Sequence, residues 1–320
     1  MISAELVWFK EHAPDFSGPL SFDEPLSKYT YYRIGGPAQL IAQPKTRADL
    51  DWLAEGMRQH PLPVFILGAG SNLLVADAGF AGLVIRTAKL NLTIQKSSDM
   101  RLQVGASVPV SMLLRRCAQE GWGGLEFLTG VPGWIGGVVR MNAGTHLGEA
   151  KDRLRRLTAL VAPLNSSMSG SEAPAVWSEQ VFEPSEMQFS YRHSHFLPKD
   201  SLIWSTEWEI TPAAPDQVKA LIDETLARRK ASQPVDYPSC GSVFKNPKAH
   251  GKLAWQVIDA LGLRGYQIGA AQFAQKHSNF IINLGSARAS DVRALIELAK
   301  TRALKEMGIP LEEEVLYLGF

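Results

Sequence analysis

The sequence predicts an α/β chain divided into more than one domain. Three observations carry this. The stretch "LPVFILGAGSNLLV" runs apolar into glycines, as a buried strand ending in a loop does, and the preceding "RADLDWLAEGMRQH" places Leu50, Leu53 and Met57 at helical spacing. Beyond Pro234 the pattern restarts with helix, strand, helix and a final strand. At 320 residues and 35.1 kDa the chain exceeds the roughly 250 to 300 residues at which single cores stop growing.

Between these landmarks, "LVIRT" and "LQVGAS" read as short strands and "VSMLLRRCAQEG" as a helix with Met112, Leu113 and Cys117 inward, which makes Cys117 a core residue. Residues 163 to 180, "PLNSSMSGSEAPAVWSEQ", are rich in Ser, Pro and Gly and read as surface loop or hairpin. "APDQVKALIDETLARRKASQP" is expected to be an amphipathic helix ended by Gln233 and Pro234, with a domain boundary near residue 216. The clearest periodicity is in "SDVRALIELAKTRALKEMG", with Val292, Leu295, Ile296, Ala299 and Leu304 on one face and Ser290 as N-cap.

Bulk properties exclude several classes of function. Lys and Arg total 33 against 32 Asp and Glu, so no overall basic field attracts nucleic acid or an anionic membrane. Cys117 and Cys240 are the only cysteines, far apart, which argues against a disulfide framework or structural zinc and fits a reducing cytoplasm. The start, "MISAELVWFKEHAPDF", lacks a basic region followed by an apolar core, and no segment approaches the roughly 20 apolar residues of a bilayer span. A soluble, unprocessed protein is expected.

Five stretches are candidates for chemistry. "LGAGSNLLV" (67 to 75) and "GVPGWIGGVVRMNAG" (130 to 144) are glycine loops whose backbone N–H groups could approach a phosphate. Each also reads as a tight strand connection: the dinucleotide fingerprint is broken at Leu73 and no Gly-Lys-Ser/Thr is present, although two such loops together favour a dinucleotide. In "FSYRHSHF" (189 to 196), Arg192 is a planar cation suited to a carboxylate or oxyanion, or a solubilising surface residue. His193 and His195 fall on one strand face without a third metal ligand nearby in sequence, and read as satisfied polar histidines. "SCGSVFKNP" (239 to 247) offers Cys240 or Ser242 as a reactive group, and "PLEEEVLYLGF" offers three acids ahead of a strand.

Taken in order, "RIGGPA" (33 to 38), "LGAGSNLLV", "TGVPGWIGG", "MNAG", "YRHSHF", "GSVFKNP", "AAQFAQKHSNFIIN" and "LEEEV" resemble the motif set of the UDP-N-acetylenolpyruvylglucosamine reductase (MurB) family. The resemblance runs from Tyr29 to the C-terminus and is closest to the family's shorter second type, which lacks a tyrosine-bearing substrate loop. It implies an α+β chain: an FAD-binding fold of the vanillyl-alcohol oxidase type in two α/β subdomains (1 to 90 and 91 to 215) and a smaller C-terminal α+β substrate domain (216 to 320).

The same resemblance implies roles for individual residues. Arg192, Ser242 and Glu314 take the catalytic positions, with Ser242 as proton donor and Cys240 without a role. FAD, held noncovalently, would meet Arg33, Gly35, Gly68, Ala69, Gly70, Ser71 and Asn72. Further along it would meet Gly130, Val131, Pro132, Gly136, Gly137, Asn142, Ala143 and Gly144. Asn246, Gln272, Lys276 and His277 would contact a UDP-sugar enolpyruvyl ether, with NADPH as hydride donor. Apart from the resemblance, a cation at Lys245 is expected to lower the pKa of Ser242. The chain is expected to act as a cytoplasmic monomer in cell-wall precursor synthesis, with no metal. Two departures fall in the second loop: Trp134 replaces a small residue, and Thr145, His146 and Leu147 replace the usual continuation after "MNAG". A related flavin oxidase acting on another sugar or alcohol, and a flavin-binding module without catalysis, are the competing readings.

Overall fold

The computed structural model describes residues 4–98, 100–161, 177–198 and 201–320. Most of the Ser/Pro/Gly-rich 163 to 180 stretch lies outside these residues; its end, Ser178–Phe182, is a strand. The chain forms two compact units, residues 1–22, 40–69 and 82–226 in the first and 23–39, 70–81 and 227–320 in the second.

In the first unit, helix Arg47–Gln59 follows from its pattern. Leu50, Leu53 and Met57 recur at helical spacing and are buried with Leu40, Leu83 and Ile85. Strand Val64–Leu67 pairs in parallel with strand Phe80–Arg86. An antiparallel sheet orders Ser178–Phe182, Leu154–Val161, Ser201–Glu209, Arg101–Gly105 and Ile94–Ser98. Helix Val110–Glu120 packs on the same core through Val110, Leu113, Leu114 and Cys117. Met112, expected inward, is 45% exposed: the i, i+3, i+4, i+7 stripe from Val110 leaves position 112 outside it. Helix Pro215–Ser232 buries only Val218 and Ile222 and leaves Leu221 and Leu226 in solvent, so its amphipathic stripe is narrower than expected.

The second unit has an antiparallel sheet of Gln267–Ile268, Ala271–Phe273 and Ile281–Asn283. Helix Ala289–Met307 buries Val292, Leu295, Ile296, Ala299 and Ala303 among Tyr32, Ile34, Leu74, Val243 and Phe244. Leu304 is 60% exposed and Ala303 takes the buried place expected of it, because the stripe continues by four residues from Ala299. The expected N-cap Ser290 is already inside the helix. Asp77 accepts the free N–H groups of Ala289 (2.7 Å) and Ser290 (3.1 Å) instead. A carboxylate at that end satisfies two orphan donors and meets the positive end of the helix dipole. Strand Leu316–Leu318 pairs in parallel with Leu73–Val75.

The first turn of helix Arg47–Gln59 is held by one buried carboxylate. Asp49 accepts from Ser17 N–H (2.8 Å) and Oγ (2.7 Å), Lys45 N–H (2.8 Å) and Thr46 N–H (2.9 Å). Burial alone would raise its pKa, but the hydrogen bonds from Ser17, Lys45 and Thr46 outweigh burial and hold it below 3.8. A depressed folded-state value means the stabilisation is complete above the unfolded pKa and is lost as pH falls through the folded one. Asp49→Asn is expected to cost about 2 kcal/mol, the scale of hydrogen bonds to a charged group. In urea unfolding, the gap between wild type and variant should stay constant above about pH 5 and close as the pH drops below about 4.

Candidate functional site

Within the first unit, Gly68 and Ala69 end the loop after strand Val64–Leu67, and Gly130, Val131 and Pro132 precede the short helix Ile135–Arg140. The two glycine loops meet at Trp134. A β-carbon on Gly68 would lie 3.8 Å from the Trp134 ring, and the Arg86 guanidinium lies over that ring at 5.5 Å. The indole is therefore packed between the loops. Asn142 is fully buried. Its amide donates to Glu149 (3.0 Å) and to the Ser190 carbonyl (3.1 Å), and its oxygen accepts from Lys151 N–H (3.1 Å). Its side chain thus holds the 190 segment against the second loop. Ala143 N–H bonds the Val138 carbonyl at 2.8 Å.

Arg192 follows directly from that segment. Its guanidinium reaches the Gly144 carbonyl at 3.3 Å and lies over the Tyr191 ring at 4.9 Å. Its φ of 61° is in the left-handed region. Only four described residues other than glycine share that region, and Arg33, Asn142 and Arg192 are three of them. Left-handed backbone costs a non-glycine residue on the order of 1 to 2 kcal/mol, and such strain gathers at functional sites. His193 and His195 do share a face, with ring centroids 4.1 Å apart, and His195 Nε2 is 2.7 Å from Ser190 Oγ.

The loop glycines divide by what requires them. At Gly130 φ is +79°, a left-handed turn. A β-carbon on Gly136 would press on Ala106 at 3.2 Å. Gly68 and Gly137 have neither constraint: no positive φ, and nothing nearer a β-carbon than 3.8 Å at Gly68 or within 4 Å at Gly137. Among the described residues nothing fills the space at Gly137, and at Gly68 it is bordered only by the Trp134 ring. Thr129, just before Gly130 in the chain, has its Oγ1 buried without a hydrogen-bond partner among the described residues. Open glycine faces and an unused hydroxyl fit a ligand that makes close backbone contact there.

In the second unit, Ser242 and Glu314 are brought together by backbone. Segment 243–245 runs antiparallel to 312–314. Glu314 N–H donates to the Val243 carbonyl (2.8 Å) and Lys245 N–H to the Glu312 carbonyl (2.8 Å). On the other side of Glu314, Asn72 Nδ2 donates to its backbone carbonyl at 2.8 Å. Of the three acids, Glu312 pairs with Lys245, and Glu313 pairs with Lys300 at 2.6 Å. Lys245, expected to tune Ser242, is turned to Glu312 and its charge is balanced there.

Next to this pair the RIGG segment is tightly packed. Gly35 has a φ of +134°, and a β-carbon there would collide with Val75 at 2.6 Å; one on Gly70 would strike the Tyr29 carbonyl at 2.3 Å. These glycines serve close packing within the unit. Arg33 is exposed at the head of its turn. Asn246 Oδ1 accepts Ala254 N–H (3.0 Å) at the start of helix Ala254–Ala260 and keeps its amide NH2. Gln272 Nε2 donates to the Gly265 carbonyl (3.2 Å) and Lys276 Nζ to the Lys230 carbonyl (2.8 Å). His277 packs edge-on to Phe280 at 5.0 Å, and burial lowers its pKa, so it is neutral near pH 7.

Asn279 was not singled out from sequence. It is 3% exposed, and its amide clasps both backbone groups of Phe244, accepting the N–H at 3.0 Å and donating to the carbonyl at 2.8 Å. Its own carbonyl takes Val243 N–H at 2.8 Å. The one available signal was an amide leading into the apolar strand of "NFIIN", where a turn residue would normally be solvated.

Both units match known protein families. Residues 38–163 match the model of the FAD binding domain family, and residues 233–318 match "UDP-N-acetylenolpyruvoylglucosamine reductase, C-terminal domain". The chain is therefore an FAD-dependent oxidoreductase of mixed α and β structure. Among curated relatives, the UDP-N-acetylenolpyruvoylglucosamine reductase of Synechococcus sp. (strain WH7803) is 37% identical over 95% of this chain and 94% of its own. That of Moorella thermoacetica is 38% identical over 93% and 92%. The crystal structure of the enzyme from Thermus caldophilus superposes with a TM-score of 0.75 at 32% identity, covering 94% of this chain and 98% of that one. The chain belongs to the UDP-N-acetylenolpyruvoylglucosamine reductase family. The match over the C-terminal third sets aside the flavin oxidase reading, which shares only the FAD-binding part. FAD is the cofactor that the FAD binding domain match gives to this chain.

Cys240 is not the reactive group. It is 3% exposed in the core beside Tyr32, and burial first, with the Glu314 charge adding to it, pushes its thiol up to about 12. Cys117 is pushed up to about 12 as well, again by burial. Neither forms appreciable thiolate near pH 8. Native protein treated with iodoacetamide at pH 8 is expected to stay unmodified by mass, and both cysteines should alkylate after unfolding in guanidinium. Rapid native alkylation of Cys240 would contradict the buried thiol.

Proposed function

We propose that the chain reduces UDP-N-acetylglucosamine enolpyruvate to UDP-N-acetylmuramate, with NADPH as the source of reducing equivalents, in the supply of peptidoglycan precursors. The observation that carries this reading is the pinned backbone at Ser242 and Glu314, an alcohol and an acid held beside a thiol-bearing core that disfavours anions. FAD, when bound, supplies the chemistry of accepting a hydride from NADPH and delivering it to the substrate. Gly68, Ala69, Gly130, Val131, Pro132, Gly136 and Gly137 are the residues that would hold it, without a covalent link.

Addition of a hydride to the methylene carbon of the enolpyruvyl ether moves the π electrons toward the neighbouring carboxylate, giving an enolate. Arg192 answers that charge with a guanidinium whose direction is fixed by Gly144 and Tyr191. Ser242 gives its hydroxyl proton to the adjacent carbon, which completes addition of one hydride and one proton across the double bond. A serine hydroxyl is a weak acid, so the step needs a strongly basic acceptor at about 2.6 to 3.2 Å. Glu314, as the neutral acid, donates its O–H to the reacting carboxylate or its enolate. Asn246, through its remaining NH2, and Gln272, Lys276 and His277 contact the nucleotide sugar. A division into two FAD-binding subdomains, 1 to 90 and 91 to 215, and a substrate domain, 216 to 320, goes with this reading, as does a cytoplasmic monomer. Among the described residues no helix is long and apolar enough to cross a membrane.

Two measurements test the proposal. Acid precipitation should release the yellow cofactor into the supernatant, and colour retained by the pellet would contradict noncovalent binding. In anaerobic stopped flow, Ser242→Ala should leave reduction of the bound flavin by NADPH near the wild-type rate. Its reoxidation by the enolpyruvyl nucleotide should slow by about 10²- to 10⁴-fold, the usual scale for losing a general acid. Equal slowing of both half-reactions would make Ser242 a structural residue.

A further inference from the structure

We infer that Asn279 is the positioning residue for the Ser242 and Glu314 pair, acting through the backbone and not through the substrate. The inference rests on the proton-donor reading of Ser242. Four chain segments are joined in one hydrogen-bonded series. Asn279 holds Phe244 by both its N–H and its carbonyl and takes the N–H of Val243. Val243, the residue after Ser242, in turn accepts from Glu314 N–H, and Glu314 is held from its far side by Asn72. Every link is 3.0 Å or shorter.

Burial makes the clasp matter. Asn279 and Phe244 are 3% and 1% exposed, so water cannot replace either bond if the amide is lost. On the other side of Ser242, Gly241 has a φ of +83°, and the segment before it is held to the strand that follows Asn279, by the Ser239–Ile282 bridge and by Asn283 N–H to the Pro238 carbonyl at 2.9 Å. The clasp at Val243 and Phe244 is the hold on the C-terminal side of Ser242. A side chain that fixes both backbone groups of one residue also fixes its rotation, which a single hydrogen bond leaves free. Displacement of a reacting group by about 1 Å can cost on the order of 10²-fold in rate.

Asn279→Asp tests this, because the carboxylate accepts from Phe244 N–H but cannot donate to the carbonyl. The protonated acid regains one donor and one acceptor in nearly the same shape. At pH 8, flavin reoxidation by the enolpyruvyl nucleotide is expected to slow by about 10²-fold, with reduction by NADPH unchanged, and amide hydrogen exchange at Val243, Phe244 and Glu314 should rise. Lowering the pH should restore reoxidation along a one-proton curve, whereas the Ser242→Ala defect should persist at every pH. Where Ser242→Ala is slow but Asn279→Asp reoxidises within twofold of wild type at pH 8, the inference is overturned and the proton-donor reading survives. If Ser242→Ala itself reoxidises at the wild-type rate, both fall. Should Asn279→Asp not fold, Asn72→Ala removes a single bond at the other end of the series. About fivefold slower reoxidation with faster exchange at Glu314 supports the inference, and wild-type values of both overturn it.

Discussion

Buried amide hydrogen bonds are the constraint on which the second unit depends. Its chain arrives in three pieces, and no long strand or helix spans them. Side-chain amides join the pieces: Asn72 to Glu314, and Asn283, whose Nδ2 reaches the Tyr32 carbonyl at 3.0 Å while its oxygen accepts from Gly285 and Ala287; within the last piece Asn279 ties to Phe244. An amide suits this work because it offers donor and acceptor together and carries no charge to desolvate. Satisfied in full, such contacts rigidify a core and specify one arrangement; half-satisfied, they would be worse than an apolar one. The short strand Ile281–Asn283, with Asn279 just before it and Asn283 at its end, thereby sets where the segments bearing Ser242 and Tyr32 lie.

The first unit solves a similar problem with backbone strain and one carboxylate. Asn142 and Arg192 sit in left-handed conformations that neither would adopt alone, and the buried Asn142 amide is what makes the turn around Ser190 and Arg192 worth its cost. Asp49 draws Ser17, Lys45 and the start of a helix to one point. In both cases a local disadvantage, a strained φ or a desolvated charge, is offset by several hydrogen bonds that converge on a single side chain.

Much of this was legible in the chain because helical stripes and strand-to-glycine transitions are local patterns. Leu50, Leu53 and Met57, and the run from Val292 to Ala299, are buried as their spacing requires. Misplacements occurred where one residue's direction decided the matter: Met112 and Leu304 are apolar yet lie one step off the stripe. The N-cap at Ser290 failed for a different reason, since the cap came from Asp77, 212 residues away. Distance of that kind leaves no periodic trace. The site residues Ser242 and Glu314 were legible only through family resemblance, and Asn279 was passed over because a polar residue beside a strand reads as a turn until its burial is known.

The parallel pairing of Leu73–Val75 with Leu316–Leu318 bears on how the protein is made. Asn72 and its partner Glu314 are 242 residues apart. At a synthesis rate of roughly 5 to 20 residues per second, the apolar edge at Leu73, Leu74 and Val75 waits on the order of ten to fifty seconds for its partner strand. An unpaired edge is a template for wrong partners. The first unit can bury its own cores as it emerges, but the nascent chain must carry this sticky segment through nearly all of translation. Residues 73–75 thus reach their final packing only once residues 316–318 have been made.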